Sequence, residues 1–251
     1  MKSKIFTISI LAIVFCLALP SFLLSSDNPL KEKVKVSTEV AKKLKERGID
    51  PETIEKVVFI HYKGERLKER TSNACYKLLG AKWNKLPIDY VVDPDLEEIV
   101  PGAIASSTKT WDDATSEGLF GEMTVSSSAD WDSQSPDLIN EYSLGNYPDP
   151  NVIAVTAVWT GQRIGKNMRE IIEYDVLFNS YYYWGNADAN SSVMDLQNIA
   201  THETGHGLGL DDVYQNICSA VTMYGYSNYG ETQKRTLEPP DVKGLQTLYG
   251  I

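Results

Sequence analysis

Histidine and cysteine are both scarce in this chain, with three of each in 251 residues. Three histidines cannot furnish several imidazole-built metal centres. Three cysteines exclude a disulfide-stapled mini-domain and a four-thiolate zinc site. Internal repeats and low-complexity tracts are missing, apart from a short YYYW run at Tyr181–Trp184. Basic residues are thin over most of the length. Residues 83–251 hold 8 Lys and Arg against 25 Asp and Glu. A body that acidic excludes nucleic acid as a partner, because phosphate binding needs a cationic face.

The remaining composition is ordinary. Apolar residues make up 42% and charged residues 23%, which suits a packed globular domain. A single long hydrophobic run stands out. Lys2 and Lys4 precede an uncharged stretch that lasts until Asp27. That order is that of an export signal over residues 1–26, or of an N-terminal anchor if the segment is retained. Export makes the protein secreted; retention makes it membrane-anchored. Residues 27–82 carry 14 Lys and Arg against 9 Asp and Glu. A basic segment therefore precedes an acidic body, and the opposite fields favour docking of one on the other. We read 27–82 as an accessory or pro-segment and 83–251 as the main domain.

Along the chain, STEVAKKLKERG reads as a capped helix and VVFIHY as a short strand. After Trp83, IDYVVD and EMTVSSS read as strands, with a helix through Ile104 and Trp111 between them. NVIAVTAVW is apolar on both faces, as a central strand would be, and EIIEYDVLFN alternates. SSVMDLQNIATHETGHGL reads as a helix, with Ser192 and Asp195 spaced like a capping box. PPDVKGLQTLYG is a closing helix opened by prolines. This order predicts an α+β domain.

Two of the three histidines fall in ATHETGHGLGLDD. On a helix, His202 and His206 share a face, so both can reach one ion. Glu203 lies about 100° further round, where a general base must sit. Gly209 permits the sharp turn that brings a further ligand back. Asp212 then arrives ten residues after His202.

This stretch resembles the metzincin zinc-peptidase pattern H-E-x-x-H-x-x-G-x-x-H, with aspartate in the last place. SAVTMYGY supplies Met223 for the methionine turn of that group. PDVKGLQTLYG and KWNKLPIDYVVD are similar to the closing helix and the opening of the matrixin catalytic domain, the branch that includes the peptidases of the extracellular matrix. The resemblance implies a twisted mixed β-sheet, an active-site helix, a Met-turn and a C-terminal helix. It implies one catalytic zinc on His202, His206 and Asp212, with Asp211 the rival carboxylate; outside the metzincin pattern, Glu231 could serve as a distant carboxylate ligand, as in thermolysin-like enzymes. It implies peptide hydrolysis through a zinc-bound water, with Glu203 as general base, and protein or peptide substrates. It places the strand around Tyr174 to Phe178 along the cleft and residues 224–229 around the specificity pocket.

Without the N-terminal segment two cysteines remain. Cys75 and Cys218 form either one disulfide, tying the start of the domain to the loop before Met223, or a thiol switch of the matrixin kind. His61 lies outside the motif, and a histidine-built structural zinc site is not expected. The many aspartates permit calcium, though no compact ligand loop is evident. Other functions stay open: a metallopeptidase-like binding protein without turnover, a zinc hydrolase of another bond, or a surface-layer protein in which the motif is incidental.

Overall fold

In the computed structural model, residues 29–64, 74–132 and 134–251 are described. The N-terminal signal or anchor, and much of the loop-like KGERLKERTSNA stretch, lie outside them. None of the described helices is long and apolar enough to cross a membrane.

The chain opens with β1 (Leu30–Lys33), α1 (Thr38–Glu46) and β2 (Glu55–Lys63). Ser37 caps α1 by accepting from the Val40 amide, and Val40 and Leu44 form its buried stripe one turn apart. Two short strands follow, β3 (Lys77–Leu78) and β4 (Ala81–Trp83), and then β5 (Ile88–Val92). Helices α2 (Pro94–Ile99) and α3 (Ala103–Asp112) lead to strands β6 (Phe120–Val125), β7 (Glu141–Gly145), β8 (Val152–Arg163) and β9 (Arg169–Asn179). After the small pair β10 (Trp184–Gly185) and β11 (Met194–Asp195) comes α4 (Leu196–Gly207), which carries the motif. The chain closes with β12 (Leu210–Asp211), β13 (Tyr226–Ser227) and α5 (Pro239–Tyr249).

The main sheet is mixed, in the order β1-β2-β8-β9-β7-β5-β6, with β4 added against β9 and β13 against β2. Strands β8, β2 and β1 pair antiparallel, whereas β9, β7, β5 and β6 run parallel. One face packs on α3 and α4 through Tyr90, Trp111, Tyr142, Tyr174 and Phe178. The other face, over β8 and β9, is covered by α1. There Val40 and Leu44 meet Ala157, Trp159 and Ile172. The segment 29–64 therefore shares the sheet and the core of the main domain. Buried on both faces, β9 is continuous in burial where its sequence alternates, since helices lie below it and α1 above.

Helix α4 is buried along nearly its whole length. Its cap is Asp195, whose carboxylate accepts from the Asn198 amide, and Ser192 has no part in it. Asp195 wins because the chain is still extended at that residue and Arg235 holds its carboxylate in place. Gly209 sits at φ +96°. A Cβ there would come within 2.2 Å of the Ala81 carbonyl oxygen, so only glycine lets the chain turn off α4 so close to β4.

Candidate metal centre and cleft

His202 and His206 project from one face of α4, their rings perpendicular and 4.8 Å apart. Each ring is oriented from behind. Nδ1 of His202 donates to the Thr222 carbonyl at 2.7 Å, and Nδ1 of His206 to the Leu210 carbonyl at 3.0 Å. With the proton on Nδ1, each Nε2 carries a lone pair. Both lone pairs face Asp212, whose Oδ1 is 3.3 Å from Nε2 of His202 and 3.6 Å from Nε2 of His206. The other carboxylate oxygen of Asp212 accepts from the Tyr214 hydroxyl at 2.8 Å.

His202 Nε2 and Asp212 Oδ1 are buried and have no hydrogen-bond donor. Orphaned acceptors that converge in a buried site are costly unless a cation lies among them. Burial also holds the imidazoles neutral: it lowers His202, and lowers His206 to about 4. Burial pushes Asp212 up, but the two histidines in their protonated form and the Tyr214 hydroxyl outweigh it and bring the carboxyl to about 2. Two neutral imidazoles and one carboxylate form a donor set that suits zinc. These three residues could hold a metal ion.

The rival carboxylates are engaged elsewhere or lie apart. Asp211 pairs with Lys77 at 2.7 Å and accepts from the Asp212 amide. Glu231 belongs to none of the metal-capable groups among the described residues. Met223 is fully buried and packs against Gly205 of α4. Its amide and that of Thr222 donate to Asp241 of α5, so the closing helix anchors the turn whose Thr222 carbonyl orients His202. Cys75 and Cys218 are joined by a disulfide.

Glu203 sits beside the ligands. Thr156 of β8 donates to its Oε2 at 2.5 Å, and His61 of β2 bonds its Oε1 at 2.9 Å. Burial raises its carboxyl to about 8, opposed by Thr156.

The cleft edge differs from the one the resemblance implies. Strand β9, with Tyr174 to Phe178, is flanked by β7 and β8 and has no edge to offer a peptide. The edge belongs to β8, and β2 covers it. β2 pairs antiparallel with β8 from Glu55↔Thr160 to His61↔Ala154, and parallel with β13 at Tyr226↔Tyr62. Phe59 and His61 of β2 face the site. Phe59 stacks on His206 with ring centroids 3.9 Å apart, and His61 stands edge-on to His202 at 4.1 Å. His202, Glu203, His206 and Asp212 are consequently closed to solvent, none more than 6% exposed.

The model of the family described as Matrixin matches residues 102–250. The chain belongs to the matrixin family. Among curated matrixin relatives, karilysin of Tannerella forsythia is 26% identical over 189 residues, 72% of this chain and 36% of that protein. Human neutrophil collagenase is 31% identical over 105 residues, 42% of this chain and 20% of the relative. Human matrix metalloproteinase-16 is 26% identical over 189 residues, 70% and 28% respectively. The chain thus spans about a third or less of the length of these relatives. Matrixin membership implies zinc as the resident ion and a metallopeptidase-type site.

Four residues around this site escape the matrixin motif: His61, Thr156, Tyr214 and Lys234. Only His61 carried a signal in the sequence. It is the third histidine of a histidine-poor chain, 142 positions from its partner Glu203.

Proposed function

We propose that this protein is a secreted zinc endopeptidase whose own N-terminal segment closes its cleft. The observation that carries the reading is the convergence of two buried imidazole lone pairs and one buried carboxylate oxygen on a common point. His202, His206 and Asp212 hold the ion. Zinc, when bound, supplies a Lewis acid that polarises the scissile carbonyl and acidifies water. Glu203 takes a proton from the attacking water as the new C–O bond forms. It returns that proton to the amine nitrogen as the C–N bond breaks. Thr156 keeps Oε2 of Glu203 fixed, leaving Oε1 to work. An extended peptide pairs with the edge of β8, taking the place of β2.

Residues 27–82 then act as a pro-segment, and residues 1–26 as an export signal, or an anchor where uncleaved. Substrates are proteins or peptides. The acidic group Asp132, Glu173 and Asp175 is the candidate calcium site. Its ligand atoms lie within 4.8 Å of one another, and Asp175 is fully buried.

The closed cleft also suits a matrixin-like binding protein without turnover. Glu203→Ala separates the two readings. Loss of peptide cleavage with zinc retained supports the enzyme. Cleavage unchanged in that variant refutes the role of Glu203, and a wild type that binds zinc yet cleaves nothing once β2 is loosened supports the binding protein.

A further inference from the structure

The space that the buried His61 side chain occupies is a pocket between Glu203 and Ser227 of β13, and the fully buried Lys234 bonds to that same strand. The ammonium donates to the Tyr224 carbonyl at 2.5 Å, the Tyr226 carbonyl at 2.8 Å and Oγ of Ser227 at 2.7 Å. Those three bonds use all three protons. Among the described residues no carboxylate forms an ion pair with Lys234.

Ser227 Oγ accepts from Lys234 and lies 3.1 Å from Nε2 of His61, whose Nδ1 lies 2.9 Å from Glu203. When Glu203 is ionised, as a general base must be, Nδ1 carries the ring proton and donates to it, and Nε2 accepts the Ser227 hydroxyl proton. A buried cation thereby aims one hydroxyl proton into the pocket. That proton is the hydrogen-bonding function the pocket presents to whatever replaces His61.

We propose that Ser227 and Lys234 are specificity-determining residues, and that the pocket selects a side chain bearing a hydrogen-bond acceptor. This rests on the peptidase reading. Because β2 lies between β8 and β13 as an extended peptide would, a substrate residue takes the place of His61. Glutamate, glutamine and histidine have the reach to accept from Ser227. An aliphatic side chain would strand the hydroxyl proton in a dry pocket. A lysine or arginine would bring a second cation toward Lys234. Glutamate gains further from that cation, since charges interact strongly where water is excluded.

Two measurements on the full chain test this. In the first, His61 is replaced and thermal unfolding is followed. His61→Gln should stay near the wild type and His61→Leu should unfold several degrees lower. The gap between them should narrow in a Ser227→Ala background. A His61→Leu chain as stable as His61→Gln, or a gap indifferent to Ser227→Ala, overturns the proposal.

In the second, cleavage sites in a peptide library are mapped with the full chain carrying Phe59→Ala, which loosens β2 without touching the pocket. One position beside the scissile bond should favour Glu, Gln and His over Leu and Lys by roughly tenfold or more. That preference should collapse with Ser227→Ala. An aliphatic preference unaffected by Ser227→Ala overturns the proposal. A chain that cleaves nothing, while the stability series behaves as stated, defeats the peptidase reading and leaves the pocket's acceptor preference standing.

Discussion

Asp212 divides its two oxygens between different tasks. One accepts from Tyr214 and the other points at the two imidazole nitrogens. The hydroxyl fixes the rotation of the carboxylate, so Oδ1 is aimed before any ion arrives. Neighbouring Asp211 is held by Lys77 and cannot swing in without losing that pair. Three variants separate these roles by zinc competition titration. Asp212→Ala should lose the ion. Tyr214→Phe should keep it with affinity lowered about 10–100-fold, the usual effect of removing the partner of a ligand. Asp211→Ala should stay close to wild type. Equal losses in Asp211→Ala and Asp212→Ala would mean that the carboxylates share the ion, and the single-aspartate site would fall.

At the scale of elements, β2 and α4 decide whether the site is open and whether it is formed. β2 adheres through its backbone to β8 and β13, and through Phe59, only 3% exposed and stacked on His206. Truncating a buried phenylalanine costs about 3–5 kcal/mol. If β2 blocks the cleft, Phe59→Ala moves that cost onto the closed state, and each 1.4 kcal/mol is about a tenfold change in the open fraction. Cleavage of a quenched peptide by the full chain should rise steeply. A chain that is less stable yet no more active would show that β2 is not the block. On the side that meets Met223 and Trp111, α4 depends on a close approach at Gly205. A Cβ there would meet Met223 Sδ at 2.4 Å and the Trp111 ring at 2.8 Å. Gly205→Ala should cost about 1–3 kcal/mol by overpacking, read in urea unfolding. A neutral change would mean that the Met-turn is loose.

These same elements mark how far the sequence can be read. His202, Glu203, His206, Gly209 and Asp212 were legible because helix spacing and one turn put them together within eleven positions. Helix α1 and strand β2 were also legible from their own periodicity. Where β2 goes was not, because strand pairing depends on an edge a hundred residues away. The relay from Lys234 through Ser227 and His61 to Glu203 was hidden for the same reason. The cap of α4 was misread by three residues, since Ser192 and Asp195 both suit that position chemically and Arg235 arbitrates only in three dimensions.

Over the whole molecule, the charge asymmetry has a structural outcome. The basic N-terminal segment lies against the acidic body, with Lys77 paired to Asp211 and Lys56 set over the Trp159 ring. On that same outer face the body buries carboxylates without cations. Burial is the first cause in each case: it raises Asp132 to about 6 and Glu141 to about 8, and lifts Glu173 and Asp175 well above the usual range. Unfolded carboxyls titrate near pH 4. Between about pH 4 and about pH 8 these four carboxyls therefore bind more protons in the folded chain than in the unfolded one, and their contribution to stability falls as pH rises through that window. A divalent cation reverses the preference by stabilising the ionised cluster. With zinc already loaded, the melting temperature should fall from pH 5 to pH 8 without calcium, and the loss should be offset when calcium is added. At a hundredfold excess over Kd the gain is about 2.7 kcal/mol, or about 5–10 °C for a domain of this size. Asp175→Asn should abolish the calcium response and flatten the pH slope, because an amide neither titrates nor carries the charge. Identical melting curves with and without calcium at pH 8 would mean that the cluster simply stays protonated. The outer face would then be held by shared protons between carboxyl groups, and the N-terminal segment would supply the only cations it needs.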